Sequence, residues 1–441
     1  MLSAFLSAFR TPDLRKKLLF TLGIIAIYRL GATLPSPGVS FDNVQRCIEE
    51  AQGADSTGVF TLLNLFSGGA LLQLSVFALG IMPYITASII LQLLAVVVPR
   101  LELLKKEGQS GQAKITQYTR YLTLGLAVLQ ASAFVALART GQLFANACSV
   151  PVIPENTELG LPLTLVTLVI TMTAGTGVVM WLGELITDRG VGNGMSVLIF
   201  TSIIARLPSE GWQIKENRGW ATFLGIVAIA ILVIFFVVFM EQAQRRIPVQ
   251  YAKRMIGRRM YGGTSTYIPL KVNQAGVIPV IFASSLLYLP QLIVGFMDPN
   301  NPGRVGRFIN EYIINPQHWV NITLFFVLIV AFTYFYVGIT FNPTDIADNM
   351  KRYGGFVPGI RPGKPTADYL GFILSRITLP GSLYLAVISV LPNLFINLAG
   401  GNLQNFPFGG TAVLIMVGVG LETVKQIESQ LMQRNYEGFL R

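Results

Sequence analysis

Side chains suited to catalysis or metal binding are few in this 441-residue chain. It has one histidine, His318, beside Trp319, and two cysteines, Cys47 and Cys148. The sequence contains no HExxH zinc motif, no GxSxG nucleophile motif and no Walker phosphate loop. Catalytic and metal centres need several such groups at matching positions. We therefore expect no enzyme activity, no metal and no cofactor, and we assign His318 to a membrane interface.

Basic residues in two long loops offer a different chemistry, the binding of anions. They are Arg245, Arg246, Lys253, Arg254, Arg258 and Arg259 in the stretch 242–271, and Arg361 in the stretch 341–368. Paired arginines suit phosphates or an acidic protein surface. Because basic residues also collect on the cytoplasmic face of membrane proteins, topology alone equally explains these charges. In the first loop, Ile247 and Val249 alternate with Pro248 and Gln250, which predicts a protruding β-ribbon.

The elements that position these loops are membrane spans. The chain is 52% hydrophobic and only 12% charged, with a mean hydropathy of +0.57, whereas soluble domains are about 25% charged. This composition predicts an all-α membrane protein with many crossings. Charge-poor windows predict ten spans, at about 18–34, 74–99, 117–138, 162–184, 193–207, 220–240, 273–296, 319–340, 370–391 and 408–428.

An even number of spans places both termini on one side of the membrane. Most of the 33 lysines and arginines fall in the tails and loops of that side, so the positive-inside rule makes it cytoplasmic. Ten spans divide into halves of five, residues 1–212 and 213–441, joined by an outer loop from Arg206 to Gly219. Because five is odd, the halves enter the membrane from opposite sides, and any similarity between them is an inverted repeat. No clear sequence similarity between the two halves is visible.

One stretch is too long for a single crossing. Between Asp55 and Arg100 the chain has 44 residues without a charge, whereas one span needs about 20. The surplus, about 59–73, contains Gly68 and Gly69, which weaken a helix. We predict a re-entrant half-helix here. Since irregular backbone at membrane depth must be buried in protein or line a cavity, the segment indicates a channel or a transporter.

A small-solute secondary transporter with inverted repeats is the main alternative. Such proteins usually keep an ionisable residue near the middle of the membrane. The acidic candidates here, Glu184, Glu241 and Glu422, all lie near predicted cytoplasmic span ends. An intramembrane enzyme is a weaker alternative, because no acid, base, nucleophile or metal set shares one depth.

Nine short runs resemble the SecY family, the pore-forming subunits of the bacterial Sec protein translocon. The runs are Asn64–Leu71, Gly80–Ser88, Lys105–Gly111, Gln117–Tyr121, Trp181–Glu184, Arg189–Gly194, Gln244–Arg246, Lys271–Asn273 and Phe356–Gly363. The likeness covers all ten predicted spans in order. It implies a protein-conducting channel that passes unfolded preproteins across the cytoplasmic membrane and releases hydrophobic segments sideways into lipid.

The resemblance also implies an architecture. The two halves form a clamshell around an hourglass pore, and the re-entrant segment is a plug. The implied plug residues are Asn64, Phe66, Ser67, Gly68 and Gly69. The implied pore ring is Ile81, Ile85, Met195, Ile199, Ile281 and Ile415. A ring of apolar side chains blocks ions by dewetting a constriction, yet it offers no fixed bonding partner to a passing chain.

Further roles follow from the same likeness. The lateral gate lies between spans two and three on one side and seven and eight on the other. Its implied polar residues are Thr86, Gln92, Gln130, Asn273 and Gln274. The basic loops, with Arg361, are expected to dock a SecA motor and the ribosome. Other expected partners are SecE-like and SecG-like small membrane subunits, signal peptides, nascent polypeptides and lipid.

The two cysteines allow two interpretations. Charge-derived topology places Cys47 and Cys148 in outer loops, on an oxidising face if the cell is bacterial. They are either two free thiols or a disulfide within the N-terminal half. A bond is possible if their Cα atoms come within about 7 Å.

Overall fold

The structure is a computed structural model that describes part of the chain. The described residues are 9, 11–53, 67–139, 150–154, 160–251, 254–256, 259–261, 265–295, 303–315, 318–398 and 410–439. These residues are mostly helical, with short strands in two loop regions. The helical fold agrees with the predicted class, and the strands lie between the membrane helices.

In the described part of the chain, seven helices of six or more residues precede the first strand. They are α1 Pro12–Thr33, α2 Phe41–Gly53, α3 Met82–Val97, α4 Pro99–Lys106, α5 Gln109–Arg139, α6 Leu161–Arg189 and α7 Gly194–Gln242. Proline occupies the first or second position of α1, α3, α4 and α6. The N–H that proline lacks is not needed there. Each of these four helices therefore begins at or next to a proline, a residue that the first turn tolerates.

The remaining elements alternate between loops and membrane helices. The strands are β1 Gln244–Tyr251, β2 Arg254–Ile256, β3 Arg259–Tyr261, β4 Ser265–Lys271 and β5 Gly355–Phe356. The helices are α8 Ile278–Gly295, α9 Gly303–Phe308, α10 Trp319–Thr340, α11 Pro343–Arg352, α12 Lys364–Leu398 and α13 Gly410–Phe439. A π-helical turn, Ile309–Ile314, follows α9.

Among the described residues, six helical stretches are long and apolar enough to cross a membrane. They are Gln109–Arg139, Leu161–Arg189, Gly219–Gln242, Trp319–Arg352, Lys364–Leu391 and Gly410–Met432. The pair α3 and α4 is a seventh candidate, bent by 105°, where Val98 is extended and Pro99 begins the second helix. The protein is therefore multi-pass, and the count of ten stays a prediction.

The segment before α3 corrects the predicted second span, 74–99. Its helix begins only at Met82, and residues 68–81 form turns interrupted by an isolated β-bridge between Ser75 and Pro35. Leu74 has φ +46° and Gly80 has φ +54°. A helix cannot pass through left-handed residues, so the apolar run is longer than the helix. In the predicted re-entrant segment, Ser67 is helical and residues 68–73 form turns at the paired glycines, while residues 59–66 lie outside the described residues.

The predicted outer loop between Arg206 and Gly219 is also corrected. α7 continues through it, and the non-helical residue inside α7 is Gly219, with φ +81° and ψ +174°. Lysine, glutamate and glutamine here are good helix formers, and Trp212 Nε1 donates to Glu216 Oε1 at 2.6 Å, one turn on. The polar residues therefore do not end the helix, which continues to the break at Gly219.

The predicted β-ribbon is confirmed. β1 pairs antiparallel with β4, from Gln244 opposite Lys271 to Gln250 opposite Ser265, and β2 pairs with β3 beyond them. Ile247 and Val249 are buried while their neighbours are exposed. β5, from the second long loop, adds to the other edge of β1. The two basic loops therefore form one unit, with a core that includes Met350, Val357 and Leu370.

Glycines let the turn segment 67–81 pack between helices. A Cβ at Gly31 of α1 would lie 2.0 Å from Cε2 of Phe77, and one at Gly175 of α6 would lie 2.0 Å from the carbonyl oxygen of Val76. Tyr28 stacks on Phe77 with ring centroids 6.1 Å apart. Close contact with the Phe77 ring at Gly31 and with the Val76 backbone at Gly175 explains why each helix has a glycine there.

We predict that Gly175→Ala destabilises the protein by about 1–3 kcal/mol, because the added methyl group overlaps backbone that must move. The neighbouring Gly177→Ala is the matched control, since its Cβ would meet only Leu124 Cδ2, at an ordinary 3.7 Å. Thermal denaturation of both variants in the same detergent measures the difference. Equal melting temperatures would contradict the packing argument.

Candidate pore and cytoplasmic docking surface

All six predicted pore-ring residues lie in one hydrophobic cluster. Ile81, Ile199, Ile281 and Ile415 are buried in it, and Ile85 and Met195 are partly buried against it. The cluster draws on α3 and α7 from the first half of the chain and on α8 and α13 from the second. It places apolar side chains from both halves in direct contact, without a polar partner inside the set.

The start of α7 is held by two polar contacts. Asn193 caps the helix, and its Oδ1 accepts from the N–H of Met195 at 3.2 Å. The N–H of Gly194 donates to Thr187 Oγ1 of α6 at 2.9 Å. A Cβ at Gly183 of α6 would lie 2.5 Å from the sulfur of Met195. The thioether therefore packs on α6 as well as on the cluster, a position that sequence reasoning does not specify.

Three of the five predicted plug residues are described. Ser67 is buried, and its Oγ accepts from the N–H of Leu71 at 3.2 Å. Gly68 and Gly69 have φ +68° and +95°, so they make the turn that glycine permits. Leu71 is buried in the same cluster as the ring. Asn64 and Phe66 lie outside the described residues.

Arg29 holds this turn from α1, a contact that the sequence analysis missed. Its Nη1 donates to the carbonyl oxygen of Gly68 at 3.3 Å. On the other side, a Cβ at Gly68 would lie 3.2 Å from Cα of Ser202, whose hydroxyl shares a 2.7 Å hydrogen bond with Tyr28. A lone arginine next to an apolar run was the available signal, because such residues are expensive in a membrane and usually have a partner.

The five predicted gate residues do not bond across the seam in the described part of the chain. Thr86 donates to Met82 O of its own helix at 3.0 Å, and Gln92 to Ser88 at 3.5 Å. Asn273 Nδ2 donates to Glu241 Oε1 at 2.5 Å. The remaining two are Gln130, which is buried in α5, and Gln274, which accepts from Lys271 N. α8 itself packs directly against α3 and α5.

Two of the three acidic candidates have partners. Arg120 of α5 and Glu184 of α6 form a bidentate ion pair, with N–O distances of 2.8 and 2.7 Å. Glu241 accepts from Asn273, as described above. The Arg120 pair lines a shallow cleft with Met180, Trp181, Leu185 and Asp188. Since arginine forks match carboxylates, the pair joins α5 to α6 near the predicted cytoplasmic boundary.

The predicted docking residues are distributed over the unit formed by the two basic loops. Arg245 and Arg246 are exposed on β1, and the guanidinium of Arg246 lies 4.8 Å from the ring centroid of Tyr267. Arg254 and Arg259 belong to β2 and β3. Lys253 and Arg258 lie outside the described residues. The exposed Arg361 follows β5, which pairs with β1, so one sheet carries both basic loops.

The backbone of Arg361 is fixed by its neighbours. Thr366 Oγ1 donates to the carbonyl oxygen of Arg361 at 2.8 Å. Gly363, with φ +101°, turns the chain into α12. The guanidinium group is thus presented on an ordered turn, where it is available to a partner.

The cysteine prediction is partly described. Cys47 is disulfide-bonded in the structure, and its Sγ lies 3.7 Å from the carbonyl oxygen of Val150. The other cysteine in the sequence, Cys148, lies outside the described residues. Pairing of Cys47 with Cys148 stays a prediction.

Comparison with known proteins places these features in a family. The profile of the SecY family matches residues 75–424. The chain is 63% identical to the protein translocase subunit SecY of Mycobacterium bovis, over the full length of both. The same identity and coverage relate it to the protein translocase subunit SecY of Streptomyces coelicolor.

Among solved structures, the fold is similar to that of a protein-conducting channel. The TM-score is 0.62 at 19% identity, with 94% of this chain and 91% of the other covered. This similarity extends the match to the overall arrangement of the helices. The chain belongs to the SecY family.

Proposed function

We propose that this chain is the pore subunit of a channel that translocates unfolded preproteins across the cytoplasmic membrane and releases hydrophobic segments laterally into it. The apolar cluster built from Ile81, Ile199, Ile281 and Ile415 carries this proposal. It joins helices of both halves through isoleucine side chains, which form no hydrogen bonds. Such a contact resists ions while closed, and it separates without breaking specific bonds.

The proposed architecture has ten spans in two inverted halves, 1–212 and 213–441, which form a clamshell around an hourglass pore. The likeness of the fold to a protein-conducting channel supports it. The proposed plug is the segment of about 59–73; the presence of Leu71 in the same cluster as the ring residues and the hydrogen bond from Arg29 to Gly68 support this assignment. The lateral gate opens between α3 and α5 on one side and α8 and α10 on the other.

The proposed partners follow from the charged face of the molecule. The unit formed by the two basic loops is ordered, which suits a SecA motor and the ribosome. A related fold, the canine Sec61 channel, is known from a ribosome–channel complex, with a TM-score of 0.60 at 18% identity. SecE-like and SecG-like small membrane subunits, signal peptides and nascent polypeptides complete the set. Both termini and the basic loops are cytoplasmic in this proposal, and the chain itself catalyses no reaction.

A small-solute transporter is the alternative function. It needs a charged or polar group near the centre of the membrane, but Glu184 and Glu241 are engaged by Arg120 and Asn273 at helix ends. Proteoliposomes that contain the purified complex separate the two functions when preprotein import and solute uptake are measured side by side. Import with a motor and ATP supports the channel, and uptake of solutes without import would overturn it.

The exposed arginines of β1 give a prediction for ribosome binding. We expect Arg245→Ala together with Arg246→Ala to lower the affinity and to reduce the slope of log K against log salt by about 2, because each phosphate contact contributes about 0.9. Binding of purified ribosomes to the channel at several salt concentrations measures the slope. The matched control, lysine at both positions, should keep most of it. An unchanged slope in the alanine variant would leave these charges with a topological role only.

A further inference from the structure

Within α7, the ammonium group of Lys215 lies between two tryptophan rings, close to the break at Gly219. The ammonium of Lys215 lies 4.0 Å from the ring centroid of Trp212 and 4.5 Å from that of Trp220. The indole N–H of Trp212 is already satisfied by Glu216. Trp212 and Trp220 are nevertheless 58% and 61% exposed. Two large aromatic surfaces are thus fixed in place and remain uncovered by the chain.

The cluster spans the break in the helix. Trp212, Lys215 and Glu216 precede Gly219, and Trp220 follows it. With φ +81° and ψ +174°, Gly219 occupies a region that is essentially restricted to glycine. The cation–π contacts therefore tie the helical arm before the break to the start of the apolar stretch after it.

The length of that stretch sets the depth of the cluster. The residues from Trp220 to Met240 are uncharged, and Glu241 is the next charged residue. At 1.5 Å per residue they extend about 30 Å, the thickness of the hydrocarbon layer. Only 17% of the most apolar part of this helix is buried, so the rest of the chain leaves most of it uncovered. Trp220 consequently lies at the boundary opposite Glu241, at the level of the headgroups.

The chemistry of that level identifies the ligand. Indole rings favour the membrane interface, and a lysine ammonium has three donors. Contact with the faces of two rings leaves donor capacity for an anionic oxygen. Apart from carboxylates of the chain such as Glu216, which already accepts from Trp212, the anionic oxygens at this depth belong to lipid phosphates. We propose that Trp212, Lys215 and Trp220 bind the phosphate of an outer-leaflet phospholipid and hold the connection within α7 in the headgroup layer.

The depth of this cluster in the membrane can be measured by quenching of tryptophan fluorescence. The chain has four tryptophans, and Trp181→Phe with Trp319→Phe leaves Trp212 and Trp220 as the only reporters. In proteoliposomes, brominated lipids labelled near the headgroup should quench this emission at least about twofold more than lipids labelled near the chain ends, as interfacial indoles require. Equal quenching by both, stronger quenching by the deep label, or none from either would overturn the proposed location.

Phosphate recognition is tested in the same two-tryptophan background. Emission is compared in vesicles of phosphatidylglycerol and in vesicles of a neutral glycolipid without phosphate. We expect a blue shift and stronger shallow quenching in phosphatidylglycerol, with Lys215→Gln removing the difference and Lys215→Arg retaining it. Lipid-independent emission in the Lys215 protein, or an equal lipid response in Lys215→Gln, would overturn the phosphate site. Inorganic phosphate added to glycolipid vesicles should not reproduce the shift, and a full shift from it would assign the site to free anions instead.

Discussion

An Ile281→Ser variant is expected to conduct ions in its resting state, with a membrane conductance on the order of tenfold above the unchanged protein. Ile281 is buried in α8 within the cluster that joins the two halves. A serine there removes apolar volume and introduces a hydroxyl that binds water. Because exclusion of ions depends on a dry constriction, wetting one side of it should open a continuous path.

Planar-bilayer recording of the purified complex, without motor or substrate, measures this leak. Ile281→Val is the conservative control, since it keeps the site apolar. Leu286→Ser, on an exposed position of the same helix, controls for a serine in α8 outside the cluster. A leak equal in Leu286→Ser and Ile281→Ser would attribute the effect to a weakened helix. If Ile281→Ser stays as tight as the unchanged protein, the cluster is not the ion barrier.

Reversing the charge of Arg361 should nearly abolish motor-driven export while leaving the channel folded. The side chain is exposed on a turn fixed by Thr366 and Gly363, so the fold does not depend on its charge. A glutamate facing an acidic partner costs several kcal/mol, and about 3 kcal/mol corresponds to a roughly 100-fold loss of affinity. Import of a preprotein into inverted membrane vesicles with ATP measures the loss.

Arg352→Glu is the matched control for Arg361→Glu. Arg352 is also exposed, and it lies at the end of α11 in the same loop region. Equal losses in both variants would indicate a general effect of charge rather than a docking contact at Arg361. A third variant, Thr366→Val, tests whether the ordered turn matters, because it removes the hydrogen bond that fixes the backbone of Arg361. Normal import by Arg361→Glu would exclude the docking role.

The fold class and most helices can be predicted from the sequence because a helix that crosses a lipid bilayer needs a long run of apolar residues. The sequence predicts the pore ring only through family resemblance. Ile281 and Ile329 are both buried isoleucines in apolar helices, yet they belong to different clusters. Hydropathy has the same value at both positions. Which one meets the opposite half depends on tertiary packing, and a single sequence does not contain that information.

The wrong boundaries have local causes. Leu74 to Ile81 is apolar, but Leu74 and Gly80 adopt positive φ, and apolar character does not reveal backbone conformation. In the other direction, Lys215 and Glu216 are charged and still helical. The lone Arg29 indicated that a partner exists, but Gly68 could not be identified as that partner. The two residues are 39 positions apart, and only the fold brings them together.

The pairing of β5 with β1 has a consequence for how the protein is made. β1 and β4 are close in sequence and can pair as soon as their ribbon has left the synthesising ribosome. Gly355 follows its partner Tyr251 by about 100 residues, which takes roughly 5–20 s to synthesise at usual rates. During that interval the segments that form α8 and α10 are synthesised, and the ribbon lacks its third strand. Each newly made copy therefore passes through a period in which the basic surface formed by the two loops is still incomplete, although the chain between them has already been made.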